Sequence, residues 1–158
     1  MANWDCMRLE IVNVGEPLLR NVARPLRPEE IGTEFLRELI GHMRETLTHA
    51  PGVGLAAPQI GEDLQLAIIE DKAEYQANLS PEELSERGRR PVEFHVLINP
   101  EIELLSPLDA AFFEGCLSLP GLVAMAPRGS NGEGSGSERS WGIDTNRSGR
   151  LVRPHSAA

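Results

Sequence analysis

The eight residues Glu114–Gly121 form the string of this sequence whose residue types best suit chemistry. Cys116 stands between Gly115 and Leu117 after an apolar run, and a Pro-Gly pair closes the string. A cysteine near the end of an apolar strand is usually a small buried side chain. The neighbours favour a functional role instead, because Gly115 permits close backbone approach and Leu117 presents an N–H group beside the sulfur.

A second unusual string, Gly52–Gly61, precedes the first and reads Gly-Val-Gly-Leu-Ala-Ala-Pro-Gln-Ile-Gly. Glycine-rich turns are common, so this string alone is moderate evidence for a site. The two strings in this order resemble the first two signature motifs of the peptide deformylases. These metal hydrolases remove the formyl group from the N-terminal methionine of new bacterial chains. The resemblance covers roughly residues 5–127.

The resemblance implies roles for five residues. Cys116 matches a ligand of the family's divalent metal, usually Fe2+. The Leu117 N–H and the Gln59 side-chain amide match two donors that polarise the formyl carbonyl. Gly54 and Gly115 match positions that bind the substrate. Two preorganised donors at a developing oxyanion suit acyl transfer, and the implied partners are formylated N-termini of nascent peptides.

The family's third motif, a helical His-Glu-x-x-His, is absent from the sequence. In the family it supplies two metal ligands and a Glu that handles the proton. We expect His42 and His49 to be solvated and His95 to be a packed or edge-strand side chain. His155 follows a proline in the tail, and Cys6 has no ligand-like spacing to any histidine. We therefore expect no substitute metal site, no bound metal and no deformylation by this chain.

Periodicity predicts the elements that position the two strings. Thr33 caps a predicted helix that runs to about His49. Its apolar face carries Phe35, Leu36, Leu39, Ile40, Met43 and Leu47. Ser80-Pro81-Glu82-Glu83 predicts a short helix ending near Gly88, inside a polar insertion at residues 72–90. Strands, or an extended segment for the first, are predicted at residues 9–14, 64–69, 94–98, 102–105 and 110–117.

Strands on both sides of one main helix predict an α+β fold. By resemblance the fold is peptide-deformylase-like, with antiparallel strands around the main helix and without the central C-terminal metal-binding helix. At about Arg128 the composition changes, and residues 129–140 contain no apolar side chain. We therefore predict an incomplete deformylase-like domain at residues 1–128 and a tail at residues 129–158 that is disordered or frame-shifted.

The frame-shift hypothesis rests on the genetic code. Codons chosen for residues 151–158 and read one base later spell Trp-Tyr-Ala-Arg-Ile-Leu-Gln-His, followed by a codon that allows Glu. That string is similar to the sequence that leads into the family's third motif. A slip near Gly129 would explain the missing motif and the altered composition together.

Composition limits the partners. The chain has 158 residues, a formal net charge of −9 and two cysteines. This charge argues against nucleic acid or an anionic membrane as a partner, and the cysteine count argues against a disulfide framework. The N-terminus has no apolar run typical of a secretory signal, so we expect a cytoplasmic protein.

Three functional hypotheses are compatible with the sequence. The chain is a peptide deformylase that is inactive as written, or active if the true product is in frame. Alternatively, it is a non-catalytic module that binds formyl-methionine or methionine N-termini through Gly54, Gln59, Cys116 and Leu117. Finally, it is an unstable pseudogene product.

Overall fold

The long helix α1 (Glu34–Thr48) is the main packing element of the protein. The computed structural model describes residues 7–102, 110–128, 142–144 and 150–152. Thr33 caps α1 through its side-chain oxygen, which accepts a hydrogen bond from the Leu36 N–H at 3.3 Å. The predicted apolar face is confirmed at Leu36, Leu39, Met43 and Leu47, which are buried. It is wrong at Phe35, which is 59% exposed, because the buried stripe is centred on Leu39 and Met43.

A three-stranded antiparallel sheet supports α1. Its order is β1 (Gly54–Ala56), β2 (Leu66–Asp71) and β3 (Val92–Ile98). Burial alternates along β2, so its inward side chains meet the helix, as a half-buried strand requires. Met43 and Ile68 are fully buried at this contact. Sequence analysis predicted β2 and β3 with shifted ends and missed β1.

The insertion between β2 and β3 contains the predicted short helix, α2 (Pro81–Arg87). Ser80 and Glu83 form the predicted capping box, and Gly88 ends the helix with a φ of 55°. Arg89 then bonds both oxygens of the buried Asp71 carboxylate, at 2.8 and 3.1 Å. Gln76 donates a further hydrogen bond to the same carboxylate at 2.9 Å. These bonds hold both ends of the insertion against β2.

Asn99 makes the predicted break after β3, with a φ of 50°. Its side-chain oxygen accepts from the Leu26 N–H at 2.7 Å, and its side-chain nitrogen donates to the Leu26 carbonyl at 2.8 Å. The carboxamide thus pairs with main chain as a neighbouring strand would. Strand β4 (Glu101–Ile102) follows, and the rest of the strand predicted at residues 102–105 lies outside the described residues.

A separate hairpin carries the cysteine string. Strands β5 (Ala110–Gly115) and β6 (Val123–Arg128) pair antiparallel, with Phe113 opposite Met125. The strand predicted at residues 110–117 ends at Gly115, and β6 was not predicted. Two short strands in the tail, β7 (Gly142–Asp144) and β8 (Arg150–Val152), form a small sheet with β4. The other residues of the predicted tail lie outside the described part, as do Cys6 and His155.

Helices and antiparallel strands are thus mixed in the described residues, in agreement with the expected α+β class. The absence of the central C-terminal helix stays a prediction. Among the described helices, none has the length and apolar character needed to cross a membrane.

Candidate functional site

Two turns from distant parts of the sequence meet at the candidate site. Gln59 lies in a 3-10 helix (Ala57–Ile60) that directly follows β1, and Cys116 lies just after β5. The Gln59 side-chain nitrogen Nε2 is 3.7 Å from Cys116 Sγ. The structure therefore brings together the two strings that sequence analysis selected.

Hydrogen bonds fix the orientation of the Gln59 side-chain amide. The backbone N–H of Ala56 donates to Gln59 Oε1 at 2.9 Å. Because a backbone N–H can only donate, the atom it faces must be the oxygen of the amide. The NH2 group of Gln59 must then face Cys116 and the hydroxyl of Ser118, which is 3.3 Å from Nε2. A donor group is thus held beside the sulfur.

The N-terminal segment joins the two turns. The Val12 N–H donates to the Gln59 carbonyl at 2.9 Å, and the Val14 N–H donates to the Ser118 carbonyl at 2.9 Å. One short segment thus bonds both turns. No strand is assigned at residues 9–14, where a strand or an extended segment was predicted, and Val14 begins a turn.

Cys116 is exposed and makes no disulfide. Its carbonyl accepts from the Leu119 N–H at 2.9 Å, which closes the turn, and Gly121 follows with a φ of 77°. The Leu117 side chain packs on the core, whereas the sulfur stays at the surface. Cys116 therefore departs from the general tendency of cysteines to be buried, because the turn directs Leu117 inward in its place.

Three glycines near the site differ in what a side chain would meet. A Cβ at Gly52 would lie 3.1 Å from the Leu117 side chain, so Gly52 leaves space for that leucine. A Cβ at Gly54 would lie 3.3 Å from the Ile68 carbonyl, which shows a close strand pairing. At Gly115 the nearest atom would be 3.8 Å away, an ordinary contact. Substrate binding by Gly54 and Gly115 stays a prediction.

The histidines lie apart from this site. His42 is half-buried, and its Nδ1 accepts a hydrogen bond from the Met7 N–H at 2.9 Å, so the expectation of a solvated side chain is wrong there. His49 is exposed, as expected, beside Glu45. His95 lies in β3, the edge strand of its sheet, as expected.

The described residues do not fit a catalytic metal. No group of three His, Cys, Asp or Glu side chains within them could hold an ion. Cys116 supplies one sulfur atom, and its side-chain neighbour is an amide nitrogen, which is a donor and not a ligand. Catalytic metal sites in proteins generally use three protein ligands. The role of Cys116 as a metal ligand thus rests on resemblance alone.

Sequence analysis missed the residues that hold the site in place. Ser118 directly follows Cys116-Leu117, so its place in the string was a usable signal. The bonds from Val12 and Val14 come from backbone N–H groups, so the residue types at these positions do not indicate them. Ala56 likewise acts through its N–H alone.

Comparison with known proteins gives the class. The chain matches the sequence model described as polypeptide deformylase over residues 8–133, and it therefore belongs to the peptide deformylase family. It is 46% identical over 121 residues to peptide deformylase 3 of Streptomyces avermitilis, a match covering 76% of this chain and 51% of that protein. It is 43% identical over 119 residues to the chloroplastic and mitochondrial peptide deformylase 1A of Arabidopsis thaliana, covering 75% and 44%.

Solved structures agree with this class. A class I type b peptide deformylase from Acinetobacter baumannii with Met-Ala-Ser bound has a TM-score of 0.65 and 26% identity, over 78% of this chain and 72% of that one. The peptide deformylase from Thermotoga maritima has a TM-score of 0.58 and 30% identity, over 77% and 68%. The chain spans about half the length of these two curated relatives.

Proposed function

We propose that this chain binds the formylated N-terminal methionine of peptides at the Gln59–Cys116 site. The main support for this proposal is the orientation of the Gln59 side-chain amide. Its oxygen accepts a hydrogen bond from the Ala56 N–H, so its NH2 group faces the Cys116 sulfur at 3.7 Å. A relative in this family has been solved with Met-Ala-Ser bound, which supports a peptide N-terminus as the ligand.

The chemistry of the site suits a formyl carbonyl. Gln59 Nε2–H and the Leu117 N–H are the two proposed donors to the carbonyl oxygen. Such donors stabilise negative charge on that oxygen, and they act most strongly when their direction is fixed before the ligand arrives. The turn that closes at Leu119 fixes the Leu117 backbone, and Ala56 fixes the Gln59 amide.

The proposal does not extend to hydrolysis by the 158-residue polypeptide. In the family a divalent metal activates the water that attacks the formyl carbon. The 158 residues contain no His-Glu-x-x-His, and the described residues offer only the single sulfur of Cys116. We therefore expect binding without turnover, in the cytoplasm where formylated N-termini emerge.

Isothermal titration with formyl-Met-Ala-Ser tests the binding. The decisive variant is Gln59→Glu, because a carboxylate still accepts from Ala56 but has no N–H to donate. Loss of this donor should weaken binding about 10-fold or more, since the site is left with an acceptor facing an acceptor. Gln65→Glu, the same change in a side chain that bonds Ala23 away from the site, is the matched control.

Two results would contradict this function. Wild-type protein that unfolds cooperatively but gives no binding heat would exclude the site as a formyl-methionine binder. Equal affinity in Q59E and wild type would remove Gln59 from it. An assay for released formate, run with added Fe2+, tests the second half of the proposal, and measurable turnover would show that the polypeptide is catalytic.

A linked proposal concerns residues 129–158. We propose that the DNA encoding them leads, in another frame, into the third motif, whose first His codon overlaps the codon for Ala158. Sequencing the gene from the codon for Cys116 to beyond the codon for Ala158 tests this, and a shifted frame without Gln-His-Glu would reject it.

A further inference from the structure

The Gln59 amide has two hydrogens on its nitrogen, and the structure gives them two different neighbours. Ser118 Oγ lies 3.3 Å from Nε2, and Cys116 Sγ lies 3.7 Å from it. A hydroxyl oxygen is a good acceptor, whereas a thiol sulfur is a weak one. The hydrogen near Ser118 is therefore bound, and the hydrogen near Cys116 is left for a ligand.

Ser118 is built into the protein firmly enough to hold that amide. Only 4% of the residue is exposed, so water does not compete for its hydroxyl. Its carbonyl accepts from the Val14 N–H at 2.9 Å, and the same N-terminal segment bonds the Gln59 carbonyl through Val12 at 2.9 Å. Both ends of the Ser118–Gln59 contact are thus tied to one segment.

We propose that Ser118 is a positioning residue that holds one amide hydrogen of Gln59, so that the other points at the ligand's carbonyl oxygen. The inference rests on the proposed function for its ligand, but the contact it invokes exists without a ligand. Ala56 sets which end of the amide faces the sulfur, and Ser118 sets its rotation. A residue without a hydroxyl at this position would leave the amide free to turn.

Three proteins test the consequence for binding: wild type, Ser118→Ala and Ser118→Thr. The probe is formyl-Met-Ala-Ser, measured by isothermal titration. S118A should bind about 5- to 10-fold more weakly, the change in affinity that corresponds to the loss of one hydrogen bond. S118T should recover most of the affinity, because threonine keeps the hydroxyl. Ser85→Ala, at an exposed serine of α2, is the control and should bind as wild type does.

A second readout separates positioning from general stability. In NMR spectra without peptide, one side-chain amide proton of Gln59 should be shifted downfield and depend weakly on temperature. In S118A that proton should take a solvent-like position, while backbone signals of Met43 and Ile68 in the core stay unchanged. A purely structural role for Ser118 would move the core signals together with the amide.

The outcomes distinguish the two proposals. If no protein binds the peptide but the Gln59 proton depends on Ser118, the proposed function is wrong and Ser118 still holds the amide. If wild type and S118A bind equally well, the positioning role is wrong and the function stands. If S118A does not fold, the NMR spectrum of the wild-type protein alone tests the inference. Solvent-like positions for both side-chain amide protons of Gln59 in that spectrum would overturn it.

Discussion

Two regions of this protein have similarly apolar sequences and very different surroundings. In the helix–sheet half, formed by α1 with β1–β3, Met43 and Ile68 are completely buried. On the β5–β6 hairpin, Phe113, Val123 and Met125 are 63%, 68% and 55% exposed. An apolar pattern becomes a core only where a second element covers it, and in the described residues only the first region has such a cover.

The difference has an energetic side. A large apolar side chain contributes about 1.5–3 kcal/mol when it is fully buried and little when it stays in water. The helix–sheet half therefore supplies most of the folding free energy, whereas the hairpin depends on its backbone ladder and on the turn at the site. Isolated two-stranded hairpins are marginally stable, so this region should open first.

The largest expected effect compares one side chain from each region. Met43→Ala should lower the free energy of unfolding by about 2–5 kcal/mol, because it leaves a cavity in the packed core. Phe113→Ala should change it by less than about 0.5 kcal/mol, since an exposed side chain loses little packing. Urea unfolding of both variants checks this, and a large loss in F113A would show that the hairpin face is covered in solution.

A smaller effect is expected where the insertion meets the sheet. Arg89→Met removes the guanidinium group that bonds the Asp71 carboxylate. The buried carboxylate then keeps Gln76 as its hydrogen-bond partner. Unfolding free energy should fall by about 2 kcal/mol, below the value for a fully buried pair because the Arg89 side chain is 30% exposed. Double-mutant cycles with Asp71→Asn measure the coupling, and additive effects would contradict a direct interaction.

Thr46→Val sharpens the comparison at the junction between α1 and the N-terminal segment. The buried Thr46 hydroxyl accepts from the Leu9 N–H at 2.8 Å, and valine has the same shape without the acceptor. We expect a loss of about 1 kcal/mol. Hydrogen exchange should become faster at Leu9 in particular, and unchanged exchange there would show that the segment does not depend on this bond.

The smallest effect concerns pH. The Arg24 guanidinium, with help from the Arg27 backbone N–H, lowers the pKa of Glu30 from 4.5 to about 2. A carboxylate with a lowered pKa stabilises the fold fully above pH 4.5, and this contribution is lost as the pH falls from there to about 2. Unfolding measured across that range should be less pH-dependent in Glu30→Gln than in wild type. Arg24→Met should reduce the pH dependence in the same way. If both variants showed the same pH dependence of unfolding as wild type, the prediction would be contradicted.

The sequence predicted best the elements whose signals are local. Thr33 and Ser80 cap their helices as predicted, because a side-chain cap and a helical period act within a few residues. Strand β1 was missed because its three residues lie inside a glycine-rich string. Strand β6 contains Pro127 and has no alternation of polar and apolar residues, so only its pairing with β5 identifies it.

The sequence predicted which residues form the candidate site, but not the contacts that hold them in place. Resemblance to a family selected Gln59 and Cys116, and the structure brings them together. The fixed rotation of the Gln59 amide depends on Ala56, Ser118 and the segment that ends at Val14. These contacts join residues that are far apart in the chain, and their donors are mostly backbone groups that any residue provides.

The pairing of Asn99 with Leu26 has a consequence for the ageing of the protein. An asparagine side chain that lost its amide nitrogen would become an acceptor facing the Leu26 carbonyl, and the pair would repel. The usual route to this damage is attack on the side chain by the backbone nitrogen of the next residue. Residue 100 is a proline, which has no backbone N–H, so that ring closure is blocked. The proline that follows Asn99 therefore protects the contact from slow chemical decay.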